Sequence, residues 1–298
     1  MTARATAGAG FAQRTLPERP RLSPGSLPIH IAVIGLTALW VIPTLGLLIS
    51  SFRPAHLVTT TGWWTALVPP FQFTLENYER VLTANNMDTA FVNSLTLAIP
   101  ATVMPLVVAA FAAYAFSWME FPFRDELFLL LVALLVIPLQ TTLIPVLRAY
   151  NELGLSGTFL GVWLAHTGYG LPFAIYLLRN FIGALPRELF EAAAMDGAGH
   201  LSVFFRIVLP LSVPALASLA IFQFLWVWND LLVALVYLGG TQSVAPLTVA
   251  VSNMVSSLGR NWQVLTAAAF VTTALPLVLF FSLQRYFVRG ITAGSVKG

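Results

Sequence analysis

Long runs without a charged residue constrain this chain more than any other feature of its sequence. Eight of them are at least 21 residues long: 22–52, 54–75, 89–119, 127–147, 153–178, 207–229, 231–259 and 261–284. A helix needs about 20 largely apolar residues to cross the hydrocarbon core of a bilayer. The runs therefore predict a chain that crosses a membrane several times.

Composition supports a membrane protein and excludes two other classes. Only 9% of the 298 residues are charged and 58% are hydrophobic, whereas about 25% of the residues in an ordinary soluble domain are charged. So few charges could not cover the surface of a soluble globule of this size. A disordered chain is excluded as well, because disordered segments are poor in apolar residues and rich in charge.

The charge-free runs predict six transmembrane helices in an all-α membrane protein. We place them near 27–51, 91–117, 127–147, 159–181, 211–238 and 263–285, with Asp230 inside the fifth. The segment 54–75 is also free of charge, but its prolines and threonines could not satisfy the backbone in lipid. We interpret this segment as an external loop whose paired tryptophans, Trp63 and Trp64, lie at the membrane interface.

Basic residues predict the orientation and the domain boundaries. Of the 15 lysines and arginines, eleven fall on the side of the N-terminus and four on the other, and cytoplasmic loops are the ones enriched in Lys and Arg. Both termini are therefore expected in the cytoplasm. Residues 1–26 are interpreted as a flexible tail, 27–289 as the transmembrane domain, and 290–298 as a tail too rich in glycine for a stable helix.

Several kinds of chemistry are excluded by missing residues. The chain has no cysteine, its four histidines are far apart, and its basic residues form no patch for nucleic acid. The only lysine, Lys297, stands next to the last residue, so no Walker A motif is present. Any ATP-driven work must come from another subunit.

The predicted cytoplasmic loop 183–210, between helices four and five, differs from its surroundings. Pro186 suits the first position of a helix, and alanines follow it. Gly197 can adopt the left-handed backbone conformation that ends a helix. A second short helix, 201–208, leads to Pro210. A small-residue face with apolar anchors fits the groove of another protein; the alternative is an amphipathic connector that lies on the membrane.

This loop resembles the EAA loop of binding-protein-dependent ABC importer permeases. The shared positions are Glu191-Ala192-Ala193, Gly197, Ile207 and Leu209-Pro210. Other segments resemble the carbohydrate, MalG-type branch of that family. They are Phe73–Tyr78, Asn93-Ser94, Trp228–Asp230 and the tail 289–298. The resemblance covers about 75–298 well and 27–74 loosely.

The resemblance implies a type I ABC importer permease fold in a bacterial or archaeal plasma membrane. It implies a transport subunit and not an enzyme, with no cofactor on this chain and with ATP and magnesium on partner subunits. The implied partners are a second homologous permease, two cytoplasmic ATPases, an extracytoplasmic solute-binding protein and membrane lipid. The expected ATPase-coupling residues are Leu189, Phe190, Glu191, Ala192, Ala193, Asp196, Gly197, Ile207 and Pro210.

Polar residues in two predicted spans are candidates for the translocation path. Gln223, Trp226 and Asp230 are spaced to share one helical face, and they are followed as candidates by Asn229, Gln140 and Thr141. Their groups suit a hydroxyl-rich ligand such as a sugar. Alternatively, Asp230 pairs with the neighbouring subunit or lies near the outer interface, and Pro138 and Pro145 make packed kinks around the residues of span three.

The substrate is the least constrained property. The stretches 261–270 and 284–290 resemble permeases for α-glucosides such as maltose and trehalose. Glycerol-3-phosphate-type substrates are the alternative within the family, although no basic cluster lines the path. A secondary transporter or channel without an ATPase is the alternative from another class, and it would need intramembrane carboxylates, of which only Asp230 is available.

Overall fold

The computed structural model describes residues 27–84, 86–255 and 261–293, with the backbone alone at 84 and at 283–293. Within these ranges the chain is helical and contains no β-strand. It divides into two compact units, 1–47 and 48–298. The predicted N-terminal tail, 1–26, lies outside the described residues, as do residues 294–298 of the C-terminal tail.

The first predicted span forms as expected, and the segment after it is more ordered than a loop. Helix α1 is Leu27–Ser51, and it is followed by α2, Ala55–Thr60, and by a 3-10 turn, Trp63–Leu67. The buried Arg53 guanidinium donates hydrogen bonds to the carbonyls of Leu57 and Thr61. Thr61 is the residue at the C-terminal cap of α2, where backbone carbonyls lack helical partners. Arg53 therefore fixes this segment.

Two long helices form the centre of the second unit. Helix α3 is Glu76–Ala84, and it precedes α4, Met87–Trp118, which is the second predicted span. Helix α7, Phe159–Ile182, is the predicted fourth span, and it packs along α4. Buried alanines on α4, including Ala101 and Ala109, carry almost no bulk and let the two helices approach closely.

The third predicted span is not one straight helix. Helix α5, Arg124–Ala133, continues as a 3-10 turn to Val136, and α6, Leu139–Glu152, follows at an angle of 101°. The bend lies at Pro138, because the residue before a proline is driven out of the helical region, and Ile137 is indeed extended. The expected single helix 127–147 was wrong, because the chain breaks at Pro138 into two helices.

The segment around the predicted loop contains α8, Arg187–Met195, and a second helical stretch, His200–Leu211. We call residues 183–211 the coupling segment, after the role that the resemblance implies for them. The stretch comprises α9, His200–Val203, then a π-helical turn, Phe204–Val208, and α10, Leu209–Leu211. The expected short helix 201–208 therefore forms, although its second half has π geometry.

The fifth predicted span, 211–238, is interrupted twice. Helix α11, Val213–Trp228, is bent by 73° from the preceding stretch, and α12, Leu232–Tyr237, begins after a break. The expectation that Asp230 lies inside the fifth helix was wrong. Its carboxylate accepts hydrogen bonds from the backbone N–H groups of Val233 and Ala234, at 3.3 and 3.0 Å. An aspartate placed so caps a new helix.

The last helices are α13, Leu247–Asn253, and α14, Trp262–Ala293. Because α14 continues to Ala293, the expectation that 290–298 is not helical was wrong for its first four residues. Among the described residues, three helices are long and apolar enough to span a membrane: α1, α4 and Trp262–Ser282 of α14. Counting each bent pair as one span gives five.

Apolar side chains form two clusters in the second unit. The first cluster joins the beginning of α4 to α12, α13 and α14, and it includes Leu97, Trp228 and Tyr237. The second cluster joins the end of α4 and the end of α7 to the coupling segment, and it includes Leu178 and Phe204. The coupling segment is thus packed into the core of the fold and does not hang from it as a loop.

Candidate functional site

Helix α8 ends as its sequence predicts, but it begins one residue after Pro186, which was expected at its first position. Pro186 precedes it, and Gly197 follows it with φ of +72°. The N–H of Gly197 donates to the Ala194 carbonyl, and the N–H of Ala198 donates to the Ala193 carbonyl at 2.9 Å. This pattern is the Schellman motif. A Cβ at Gly197 would meet nothing within 4 Å, so the left-handed backbone, and not crowding, requires glycine there.

The two faces of α8 have different surroundings. On the inner face, Phe190 stacks on Trp118 with ring centroids 3.6 Å apart, and Ala193 is only 7% exposed. On the outer face, Leu189 and Ala192 are exposed, and Met195 is 84% exposed. Exposed apolar side chains gathered on one face of a helix typically mark an interaction site.

The predicted coupling residues divide between these faces. Those with exposed side chains or backbone are Leu189, Glu191, Ala192, Asp196, Gly197 and Pro210, and those packed inward are Phe190, Ala193 and Ile207. Sequence reasoning missed Met195 and Leu201, which are 84% and 68% exposed. We call Leu189, Glu191, Ala192, Met195, Asp196 and Leu201 the coupling surface. Both missed residues are large and apolar in a loop that was expected to face water. This mismatch could have identified them from the sequence.

The charges of α8 add little to its stability. Arg187 and Glu191 approach to 3.6 Å as an i, i+4 pair with both side chains largely exposed, and exposed pairs of this kind contribute little. The aromatic and backbone contacts of the inner face therefore hold α8 in position, and the charges on the outer face are available to a partner.

Two of the path candidates meet at a buried histidine. The Asp230 carboxylate lies 3.6 Å from Nε2 of His166, and the Trp226 ring stands perpendicular to the imidazole at 5.1 Å. His166 is fully buried. The expected shared face is therefore present for Trp226 and Asp230 even though the helix ends between them.

Gln223 has a different environment from the one expected. Its side chain is buried, and its amide donates to the Ala101 carbonyl of α4 at 3.3 Å. A Cβ on Gly170 of α7 would lie 2.7 Å from the same amide. Gln223 therefore packs in a notch between α4 and α7, where it joins three helices.

The remaining path candidates are exposed. Gln140 and Thr141 lie in the first turn of α6, directly after the bend, and Asn229 donates to the Leu225 carbonyl of its own helix. The hydroxyls of Thr266, Thr272 and Thr273 donate to carbonyls of their own helix, α14.

A chain of hydroxyl groups beside these residues was missed from the sequence. The Thr142 hydroxyl donates to Tyr169 at 2.9 Å, and the Tyr169 and Tyr237 hydroxyls are 2.8 Å apart. The chain crosses from α6 through α7 to α12. Since its members lie on helices that are far apart along the chain, no local spacing in the sequence could have identified them.

Metal binding has no support in the part of the chain that the structure describes, where no group of three or more His, Asp or Glu side chains could hold an ion.

The similarity of the chain to known protein families shows the family to which it belongs. The family described as the inner membrane component of binding-protein-dependent transport systems matches residues 19–293. The chain belongs to this family.

Two relatives of this inner membrane component cover almost its whole length. The permease protein GgtD for uptake of osmoprotective compounds, from Synechocystis sp., is 64% identical over 274 residues, which are 91% of this chain and 92% of the relative. The permease protein AglG of an alpha-glucoside transport system, from Rhizobium meliloti, is 41% identical and covers 93% of this chain and 99% of its own.

A solved structure has the same fold. A chain of a bacterial ABC transporter involved in the import of the acidic polysaccharide alginate matches with a TM-score of 0.71 and 22% identity, over 90% of this chain and 100% of that one. The expected permease fold is thereby confirmed at the level of helix arrangement. Because the relatives are permeases, the expectation of a transport subunit and not an enzyme is also confirmed.

Proposed function

We propose that this permease imports a small, uncharged, hydroxyl-rich solute by ATP-driven alternating access, with the coupling surface docked on a cytoplasmic ATPase. One observation carries the proposal: α8 is fixed to α4 by its inner face and presents Leu189, Ala192 and Met195 outward. A helix held in this way can transfer a rigid displacement to the membrane helices. Its small residues admit a close partner, and its apolar residues give the partner an anchor.

The proposed topology has six spans, with both termini in the cytoplasm. The three long apolar helices and the two bent pairs supply five spans. Helix α7, with 24 residues, supplies the sixth; polar residues such as His166 and Tyr169 lower its hydropathy, and both meet other polar groups inside the fold. The excess of basic residues on one side supports the orientation. Residues 1–26 and the end of the chain from 290 are proposed as cytoplasmic tails.

The proposed partners are a second permease, two ATPases and an extracytoplasmic solute-binding protein. The family description names binding-protein-dependent transport, which supports the last of these directly and disfavours a secondary transporter. ATP and magnesium are proposed to bind the ATPases, because this chain has no Walker lysine. The proposed location is the plasma membrane of a prokaryote.

The proposed substrate is an α-glucoside or a related glycoside that serves as an osmoprotectant. The names of the two relatives support this class. The proposed path is lined by Gln140, Thr141, Trp226, Asn229 and Asp230, whose amide, hydroxyl, indole and carboxylate groups suit sugar hydroxyls. Gln223 is left out of the path because it is buried against α4. A glycerol-3-phosphate-type substrate is not favoured by any of these contacts.

The docking proposal is tested by adding bulk to the coupling surface. Ala192→Trp should abolish co-purification of the ATPase, because a large ring on the exposed face would prevent α8 from entering the groove of its partner. Leu153→Trp places the same ring at an exposed position in the segment between α6 and α7 and should leave co-purification unchanged. Equal recovery of the ATPase with both variants would contradict the proposal.

A further inference from the structure

Helix α4 carries an aromatic ridge, which consists of Phe111, Tyr114 and Trp118. Their spacing of three and four residues places them on one face of the helix. The ridge occupies the last two turns of α4, beside the coupling segment. None of the three residues belongs to the EAA loop or to the proposed path.

Each residue of the ridge contacts a different part of the coupling segment. Trp118 stacks on Phe190 of α8 with an interplanar angle of 15°, and its indole N–H donates to the Ile182 carbonyl at 3.0 Å. The Tyr114 hydroxyl lies 3.1 Å from Nδ1 of His200, the first residue of α9. Phe111 stacks on Phe204 of the π-helical turn at 4.4 Å. The whole coupling segment is therefore fastened to α4.

The opposite end of α4 holds a second segment. The Asn93 amide donates to the carbonyls of Ser243 and Ala245, at 3.1 and 3.2 Å. The Ser94 hydroxyl accepts a hydrogen bond from the N–H of Leu247, the first residue of α13, at 2.8 Å. Both side chains are buried. They fix residues 243–247, which we call the far segment, to the same helix.

A displacement of the coupling segment has an alternative route through α11, and that route is less direct. The π-helical turn and the bend of 73° at Ser212 interrupt it, and α11 ends at Trp228. A π turn and a bend are points at which a helix yields most easily. Helix α4 continues from Met87 to Trp118 without a π turn or a break, although Pro100 and Pro105 inside it each remove one backbone hydrogen bond. Asn93 and Trp118 are separated by about 37 Å along it at 1.5 Å per residue.

We propose that α4 is the strut of this permease, by which a displacement of the coupling segment reaches the far segment, and that the aromatic ridge and Asn93 are its two attachment points. The proposal rests on the proposed function, since it assumes that an ATPase moves the coupling segment. In the proposed topology the far segment lies on the outer side. The strut therefore links the ATPase to the side from which the solute arrives.

The test uses the complete transporter in proteoliposomes, with its ATPases, second permease and solute-binding protein. Trp118→Ala should retain the bound ATPases and basal ATP hydrolysis, but stimulation by the loaded binding protein should fall about tenfold, within the usual range of coupling between sites. Trp118→Phe retains a ring over Phe190 and should restore the stimulation. Val103→Ala, at an exposed position of the same helix, should behave as the wild type.

The far end of the strut supplies the second arm of the test. Asn93→Ala should reduce the stimulated hydrolysis to a similar degree, although Asn93 lies far from the coupling surface. The double variant with Trp118→Ala should be no worse than either single variant, because residues in one linkage are not additive. Additive losses would overturn the proposal.

Three outcomes separate this proposal from the proposed function. A wild-type transporter that shows no stimulated hydrolysis contradicts the proposed function itself. A stimulated wild type together with normal stimulation in Trp118→Ala overturns the strut alone. If Trp118→Ala does not assemble, Phe111→Leu keeps an apolar side chain but removes the stack on Phe204, and normal stimulation in that variant overturns the strut as well.

Discussion

The coupling segment and the proposed path differ in how far their residues are separated along the chain. The coupling segment is one continuous stretch whose cap, helix and stop follow each other within twelve residues, 186–197. The proposed path combines the first turn of α6 with the end of α11 and the break that follows it, where Asp230 contacts His166 of α7. Local patterns specify the first region, whereas the packing of distant helices specifies the second.

Because local patterns specify the coupling segment, we expect single backbone changes to have their largest effect there. Gly197→Pro should abolish stimulated ATP hydrolysis, because proline cannot adopt φ of +72° and lacks the N–H that bonds to Ala194. The local cost should be about 3 kcal/mol or more, as for proline at other incompatible positions. ATPase assays on the reconstituted transporter measure the effect.

A matched control exists in another turn. Gly154 also has a left-handed backbone, with φ of +68°, and has open space around it. Gly154→Pro imposes the same backbone conflict in the segment between α6 and α7 and should leave the ATPase coupled. Loss of coupling in both variants would show that general instability, and not the stop of α8, causes the effect.

Packing among distant helices should give the next largest effect. Gly170→Ala places a Cβ within 2.7 Å of the Gln223 amide and should destabilise the protein by about 1–3 kcal/mol, as overpacking does. Thermal unfolding of the detergent-purified protein measures the loss. Gln223→Ala in the same chain makes room and should recover part of it; an additive loss in the double variant would exclude direct contact between the two positions.

Asp230 should show a smaller effect that separates its two interpretations. Asp230→Ala removes the cap of α12 and should cost about 1 kcal/mol in stability, whereas Asp230→Asn keeps an acceptor for the N–H groups of Val233 and Ala234. Thermal unfolding and solute uptake are measured on both. Normal uptake by Asp230→Asn would assign the carboxylate to capping alone and remove it from the path.

The smallest stability effect is expected at Gln140. Its side chain is exposed in the first turn of α6, so Gln140→Ala should change the stability by less than about 0.5 kcal/mol. If Gln140 lines the path, uptake should nevertheless lose affinity for the solute. Unchanged uptake kinetics would exclude Gln140 from the proposed path.

The sequence predicted the helices most accurately where a single local signal was strong. Charge-free runs located α1, α4 and α7 to within a few residues, and glycine at 197 located the stop of α8. The helix breaks were harder to predict, because each depends on a single residue, Pro138 or Asp230, inside an apolar run that otherwise continues. An apolar run specifies that a segment can lie in the membrane, but it does not specify that the segment is one helix.

The candidate site was predicted in part for the same reason. Helical spacing identified α8 but not which of its faces packs inward, since Phe190 and Leu189 are both large and apolar. The position of Trp118 across the fold decides that Phe190 is the inward residue. Tyr169, Tyr237 and His166 escaped because their partners lie on other helices.

The orientation of α8 can be measured directly, because the chain contains no cysteine and single cysteines can be introduced without removing native ones. Met195→Cys and Ala193→Cys lie on opposite faces of the helix, with side chains 84% and 7% exposed. With a short thiol-reactive cross-linker in the assembled transporter, Met195→Cys should link to the ATPase and Ala193→Cys should not. Linkage at Ala193→Cys alone, or at neither position, would contradict the docking of the ATPase on the coupling surface.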